Sequence, residues 1–269
     1  MKRAIVLGGI VAALATAAPA AAQVTVGWDA SAYSSYVWRG LTLSGKPVVQ
    51  PDLYLTFPLG AASLTVGGWG NIELGKYDAP DIGEGGGAAS PDLTEFDWWG
   101  EISIPAGIAT LTGGATGYIY PNDAGFTSDI NTLEFYGKVA LGTVLSPKLS
   151  AYYDVKAVKG LYVEGSVSHG IPLGAATLNL GALAGYSSKM TPDPDDDSFN
   201  FKDDGLTHVD LSASIGFEAG PLSIAPSVHL VLAQDEFTKF TKLNDKSDTK
   251  LWGGVTISWS KAFGGKAEE

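Results

Sequence analysis

Ser227, His229 and Asp210 have the side-chain types that a hydrolytic centre needs. A serine nucleophile works only with a base in hydrogen-bond reach and an acid that orients the base. Ser227 and His229 stand two apart, so on a strand they share one face. Asp210 lies on the preceding strand-like segment with the same parity. The alternative to a catalytic set is a small residue beside a hydrogen-bonded histidine in a filled interior. The parity and mid-segment depth of the three favour that alternative, and no catalytic residue is assigned.

The other chemistry-bearing residues narrow the choices further. The chain has three histidines, His169, His208 and His229, and no cysteine. They are scattered, so no transition-metal site is expected, and disulfides and thiolate ligands are impossible. Asp193, Asp195, Asp196 and Asp197, with Asp203 and Asp204 following, form an oxygen-rich stretch. Such clusters suit Ca²⁺ or Mg²⁺, but this one lacks the EF-hand spacing. Its prolines fit an extended, solvated acidic loop, and no metal or cofactor is assigned. Nor does the sequence contain a glycine-rich phosphate loop leading into a helix. Setting aside Lys2 and Arg3, 15 of the 17 basic residues remain against 29 acidic ones. With no basic patch either, nucleic acid is not an expected partner.

The informative carboxylates are those that share one face of their segments. Asp29, Asp52, Glu73, Glu95, Asp97, Glu101, Glu134, Asp154, Glu164, Asp210 and Glu218 do so by parity, with Arg39, Lys138 and Lys156 as the bases. Carboxylates lining a low-dielectric tube favour cations and oppose anions. Arg39, Glu95, Asp97, Glu101, Glu134, Lys138 and Asp210 are therefore the candidate pore-lining residues. The competing reading is that these charges pair with one another and fill a closed interior. Arg39 itself reads either as a charge at a constriction or as half of a structural ion pair.

The elements that must carry these residues are strands, because apolar residues recur with period two. Over Leu93–Pro105, Phe96, Trp98, Ile102 and Ile104 alternate with Glu95, Asp97, Glu101 and Ser103. Over Asn131–Leu141, Leu133, Phe135, Val139 and Leu141 oppose Glu134, Tyr136 and Lys138. Val209, Leu211, Ala213, Ile215 and Phe217 oppose Asp210, Ser212 and Ser214, and Leu251, Val255, Ile257 and Trp259 form the last stripe. The pattern predicts strands over Val24–Arg39, Pro47–Phe57, Ser63–Leu74, Leu93–Pro105, Ala109–Tyr120 and Asn131–Leu141. It predicts further strands over Lys148–Asp154, Leu161–Ser168, Ala176–Ser187, His208–Glu218, Leu222–Ala233 and Lys250–Trp259.

The connections alternate between short and long. Tight turns are expected at Phe57–Ala61, Pro105–Ala109, Leu145–Lys148, Pro172–Ala176 and Glu218–Pro221. Longer polar stretches fall at Trp38–Lys46, Gly75–Asp92, Pro121–Asn131, Asp154–Gly160, Ser187–Thr207 and Gln234–Lys250, the second of them with a flexible Glu84–Gly87 run. A soluble sandwich also alternates, but it buries its apolar face. Here the apolar face carries aromatics at both expected rims: Phe96, Trp98, Phe135 and Tyr153 at one, Trp28, Phe57, Phe217 and Trp259 at the other. Short inner turns, long outer loops and paired aromatic girdles are the marks of an outer-membrane barrel. The expected fold class is all-β, an antiparallel transmembrane β-barrel of about 12 strands.

Met1–Ala22 reads as a signal peptide: Lys2 and Arg3, an apolar Ile5–Ala15, then Pro19 and Ala20–Ala22 before Gln23. With no cysteine after it, a lipid-anchored lipoprotein is not expected, and residues 23–269 form the barrel domain. Ile257–Phe263 resembles the terminal strand that barrels present to the barrel-assembly machinery, with Gly264–Glu269 as an extra tail.

Ser34-Ser35-Tyr36-Val37-Trp38-Arg39-Gly40, then Gly45-Lys46-Pro47-Val48-Val49-Gln50, then Gly67-Gly68-Trp69-Gly70-Asn71, resembles the opening of the TorF-type porin family of bacterial outer-membrane proteins. The resemblance covers the first part of the expected mature chain. It implies a barrel with a pore role and carries no catalytic residue and no substrate. The sequence reading is thus an outer-membrane pore for passive passage of small polar solutes, cationic or neutral, with outer-membrane lipids as its surroundings. A structural or adhesive barrel with a plugged lumen is the alternative, and an outer-membrane lipid-modifying enzyme a second.

Overall fold

Period-two alternation becomes strand after strand in the computed structural model, which describes residues 23–75, 91–121, 131–190, 201, 204–233 and 249–264. The leader at 1–22, the Glu84–Gly87 run and Asp193, Asp195–Asp197 and Asp203 lie outside the described residues. The strands are β1 (Val24–Tyr33), β2 (Tyr36–Trp38), β3 (Leu41–Ser44), β4 (Val48–Leu59), β5 (Ala62–Glu73), β6 (Asp92–Ala106) and β7 (Ala109–Ile119). They continue with β8 (Thr132–Leu141), β9 (Lys148–Asp154), β10 (Leu161–Leu173), β11 (Ala176–Ser188), β12 (Gly205–Ala219), β13 (Leu222–Ala233) and β14 (Thr249–Phe263).

Twelve of these close into one antiparallel barrel, each paired with its sequence neighbour around the ring from β4 to β14. β1 completes it, pairing with β14 from Val24↔Phe263 to Tyr33↔Gly254 and with β4 from Thr25↔Thr56 to Tyr33↔Val48. Closure leaves no sheet edge, which is what a β structure in lipid requires.

The tight turns share one solution. Gly60, Gly107, Gly174 and Gly220 each stand first in a two-residue connection, at φ between 64° and 70°. Glycine at that position fits the type II′ turn, whose twist matches the flanking strands. The β8–β9 connection is longer. There Leu141 donates its N–H to the Pro147 carbonyl and Ser146 to the Thr143 carbonyl, both at 2.9 Å.

The wall is inverted relative to a soluble core. Leu53, Phe135, Leu149 and Leu251 are more than half exposed on the outside. Glu95, Asp97, Glu134 and Asp154 are buried within. Large apolar side chains exposed on every side mark a surface that meets something other than water. Trp28 and Trp259 are register partners on the outward face near the end that carries the chain termini.

One predicted strand is divided. Val24–Arg39 was expected to run unbroken, but β1 ends at Tyr33. Ser34 makes the last links to β14: its N–H donates to the Gly253 carbonyl at 2.9 Å, and its Oγ accepts the Gly253 N–H at 3.2 Å. The chain then turns into the lumen, where β2 and β3, among the described residues, pair only with each other. The expected first outer loop, Trp38–Lys46, is therefore part of an inward-folded hairpin. Its apolar residues explain the turn inward. Leu41 packs into a buried cluster with Tyr162, Met190 and Phe201, flanked by Trp38, Leu43, Tyr152 and Val158.

Candidate functional site in the barrel lumen

The lumen has three tiers. On the short-turn side small hydroxyls bond across strands: Thr56 with Thr65 at 3.0 Å, and Ser103 with Thr112 at 2.8 Å. Further along β1 toward the outer end, Thr256 is bonded by Ser31 at 2.8 Å and by the Tyr33 hydroxyl at 3.1 Å. Short side chains on the inward face of a barrel leave space at its axis.

Charges occupy the middle. Lys138 Nζ lies 3.0 Å from Glu101 Oε2, which also accepts the Tyr136 hydroxyl at 3.0 Å. Asp29 and Asp52 are direct cross-strand partners. Trp99 Nε1 donates to Asp52 Oδ1 at 3.2 Å. His229 Nδ1 sits 3.3 Å from both Asp210 oxygens, and its ring stacks on Trp252 with centroids 4.1 Å apart.

The outer tier is filled by the β2–β3 hairpin, which touches much of the ring. The Tyr36 hydroxyl donates to Glu95 Oε2 at 2.9 Å, and the Tyr36 ring lies 5.7 Å from Trp69. Trp38 meets Tyr118 edge-on. A Cβ on Gly40 would fall 2.5 Å from His208 Cγ. At the tip, Arg39 Nη1 and Nη2 donate to Glu134 Oε1 and Oε2 at 2.7 and 2.8 Å. Its guanidinium carbon lies 4.3 Å from the Trp38 ring centre, 4.3 Å from that of Tyr162 and 4.8 Å from that of Tyr152. Bidentate pairing and stacking on aromatic faces are what arginine's planar head does and lysine's does not.

All seven sequence-nominated lining residues are on the inside, and they fall into separate groups. Arg39 joins Glu134, and Lys138 joins Glu101. Glu95 holds Tyr36, and Asp210 holds His229. Asp97 is buried, and its Oδ1 has no hydrogen-bond partner among the described residues. Among the described residues Asp52, Glu95, Asp97 and Asp210 have no Lys or Arg partner. Arg39 reaches the interior from a hairpin tip rather than from the wall strand its parity implied.

Asp154 and Lys156 serve the outer connection instead. Asp154 Oδ1 accepts the N–H groups of Lys156, Val158 and Lys159 at 2.9 to 3.1 Å, while Oδ2 accepts the Thr132 hydroxyl. Lys156 Nζ donates to the Asn131 carbonyl. Glu164 accepts the Tyr152 hydroxyl at 3.2 Å.

The serine set does not assemble. His229 keeps Asp210, but no serine hydroxyl hydrogen-bonds its ring among the described residues. His229 pairs across the strands with Ser212, and Ser227 with Ser214.

Sequence reasoning missed the tyrosines. Tyr118, Tyr152 and Tyr162 surround the hairpin tip with Glu134. The signal was present, since Tyr152 and Tyr162 stand two before Asp154 and Glu164 and so share their inward parity.

No protein-family model matches the chain, and no curated protein sequence matches it. Solved structures do resemble it. The COG4313 outer-membrane channel from Pseudomonas putida F1 has a TM-score of 0.51 at 10% identity, covering 91% of this chain and 97% of that one. LpxR from Salmonella typhimurium has a TM-score of 0.50 at 9% identity, covering 87% of this chain and 99% of that one. At such identities the likeness is one of fold. That fold is the outer-membrane β-barrel, and its apolar belt places the chain in the bacterial outer membrane.

Proposed function

We propose that the chain is an outer-membrane pore for passive passage of small polar solutes, cationic or neutral. The observation that carries this reading is the imbalance of lumenal charge. Arg39 and Lys138 are each tied to a carboxylate, while the half-buried Asp52 and Asp210 have no Lys or Arg partner among the described residues. Uncompensated carboxylates inside a tube attract cations and repel anions. The hydroxyl-lined inner tier suits hydrated solutes without selecting among them.

The resemblance of the Ser34–Gln50 stretch to the TorF-type porin family supports the same reading. With it go a cleaved leader at Met1–Ala22, a barrel domain over residues 23–269 and insertion by the barrel-assembly machinery.

A second reading, a structural or adhesive barrel with a plugged lumen, is favoured by the hairpin. Leu41, Tyr162, Met190 and Phe201 are no more than 2% exposed inside the outer tier. An outer-membrane lipid-modifying enzyme draws no support from the Asp210–His229 pair, which faces inward and has no nucleophile at its ring among the described residues. Conductance of the purified protein in a planar bilayer separates the first two. Steps with a cation-signed reversal potential are expected from the pore, and a silent bilayer would sink it.

A further inference from the structure

Arg39 is an unusual residue for the position it holds. It is the first central residue of the hairpin turn, at φ 50°, with Gly40 following at 82°. Turns with both central residues at positive φ favour Asn, Asp or Gly, and other side chains are uncommon there. Some contact must offset that backbone cost.

The side chain supplies it. Glu134 takes the guanidinium through two parallel hydrogen bonds, and the Tyr118 hydroxyl fixes Glu134 Oε2 at 2.8 Å. The Tyr152 and Tyr162 rings lie against the head. These four wall residues come from β7, β8, β9 and β10, and none belongs to the hairpin. The wall alone thus presents a positioned carboxylate fork beside flat aromatic faces. That is receptor chemistry for a planar, delocalised cation.

We propose that Glu134, Tyr118, Tyr152 and Tyr162 form a guanidinium-binding site in the lumen wall, occupied in cis by Arg39. A solute bearing a guanidinium group competes with Arg39 for it. Because β2 and β3 pair with no wall strand among the described residues, loss of this tether loosens the hairpin tip and widens the outer lumen there. The widening rests on the pore reading; the binding site does not. An intramolecular occupant acts at a high effective concentration, so the site is best revealed with Arg39 removed.

The test uses Arg39→Gly, since glycine keeps the turn geometry and empties the pocket. Thermal unfolding of the full barrel in detergent is followed with methylguanidinium, tetramethylammonium or sodium as chloride salts at equal concentration. Methylguanidinium alone is expected to raise the Tm, and Glu134→Gln in the same background to abolish the rise. An equal response to the three cations, or none, overturns the site. Arg39→Lys gives a second route if the glycine variant does not fold. Lysine cannot form the fork, so methylguanidinium should shift its Tm by more than that of the unmodified protein; an equal shift or none overturns the site here too.

Planar-bilayer recording then tests the widening. Arg39→Gly is expected to conduct more than the unmodified protein, and methylguanidinium to raise the conductance of the unmodified protein. Conductance indifferent to both overturns the widening. Selective stabilisation with no conductance in any variant supports the binding site and overturns the pore reading instead.

Discussion

Arg39 and Glu134 are 95 residues apart in sequence and meet inside the barrel in a two-point ion pair, 7% and 2% exposed. One partner comes from a hairpin tip and the other from the wall, so the pair decides where the hairpin sits. Removing one partner of a buried pair leaves the other charged and unsolvated, at a cost of about 3–5 kcal/mol. Arg39→Ala and Glu134→Ala should each lose stability on that scale, and the double substitution should lose less than their sum. Urea unfolding of the four proteins in lipid or detergent measures this. Strict additivity would show that the two do not act as a unit.

Gly40 tests the same hairpin through its backbone. A side chain there meets positive φ and the His208 ring together. Gly40→Val should destabilise by roughly 1–3 kcal/mol from the backbone conformation alone, with the clash added. His208→Ala in that background should recover only the ring's part of the clash, because the His208 Cβ, 2.6 Å from the added Cβ, remains, and it should leave the backbone cost. Tm values for the single and double variants check the split, and full recovery would show that strain plays no part.

The wall was legible because its signal is local. Phe96 and Trp98 against Glu95 and Asp97 announce a two-faced strand without reference to any other residue. The fifth expected tight turn, Leu145–Lys148, is the end of a longer connection from Leu141; the other four were legible for the same reason. The hairpin was not, because Tyr36-Val37-Trp38 continues the alternation of β1 and nothing in period or composition says that the ladder stops at Tyr33. What stops it are contacts over long separation: Ser34 to Gly253, Tyr36 to Glu95 and Arg39 to Glu134. Parity still put Arg39 inside, though on a strand it does not occupy. Inward carboxylates were likewise found by parity, but parity does not tell a lining charge from Asp154, which caps the 155–160 connection.

Loop lengths set the expected orientation. Short turns such as that at Gly174 belong on the periplasmic side, and the long connection that holds Asp196 on the outside. An epitope inserted at Asp196 should be labelled on intact cells, and one at Gly174 only after the outer membrane is opened. The opposite pattern would reverse the barrel and put the Arg39 hairpin at the periplasmic mouth.

Selectivity is where individual lumenal charges part company. In a salt gradient the unmodified protein should show a reversal potential of cation sign that shrinks as salt rises, because screening shortens the reach of each carboxylate. Asp97→Asn keeps the shape of a buried side chain whose Oδ1 has no hydrogen-bond partner among the described residues, so it should cost little stability and move the cation preference little. Glu95→Gln disturbs the acceptor of the Tyr36 hydroxyl, so it should loosen the hairpin. Glu101→Gln differs again, because it releases Lys138 from its partner and leaves a free positive charge in the middle tier. Its effect on the reversal potential should therefore exceed that of Asp97→Asn, and adding Lys138→Gln should restore part of the preference. An anion-signed potential in the unmodified protein would end the cation reading. Equal effects from Asp97→Asn and Glu101→Gln would show that Lys138 is not released into the path of the solute.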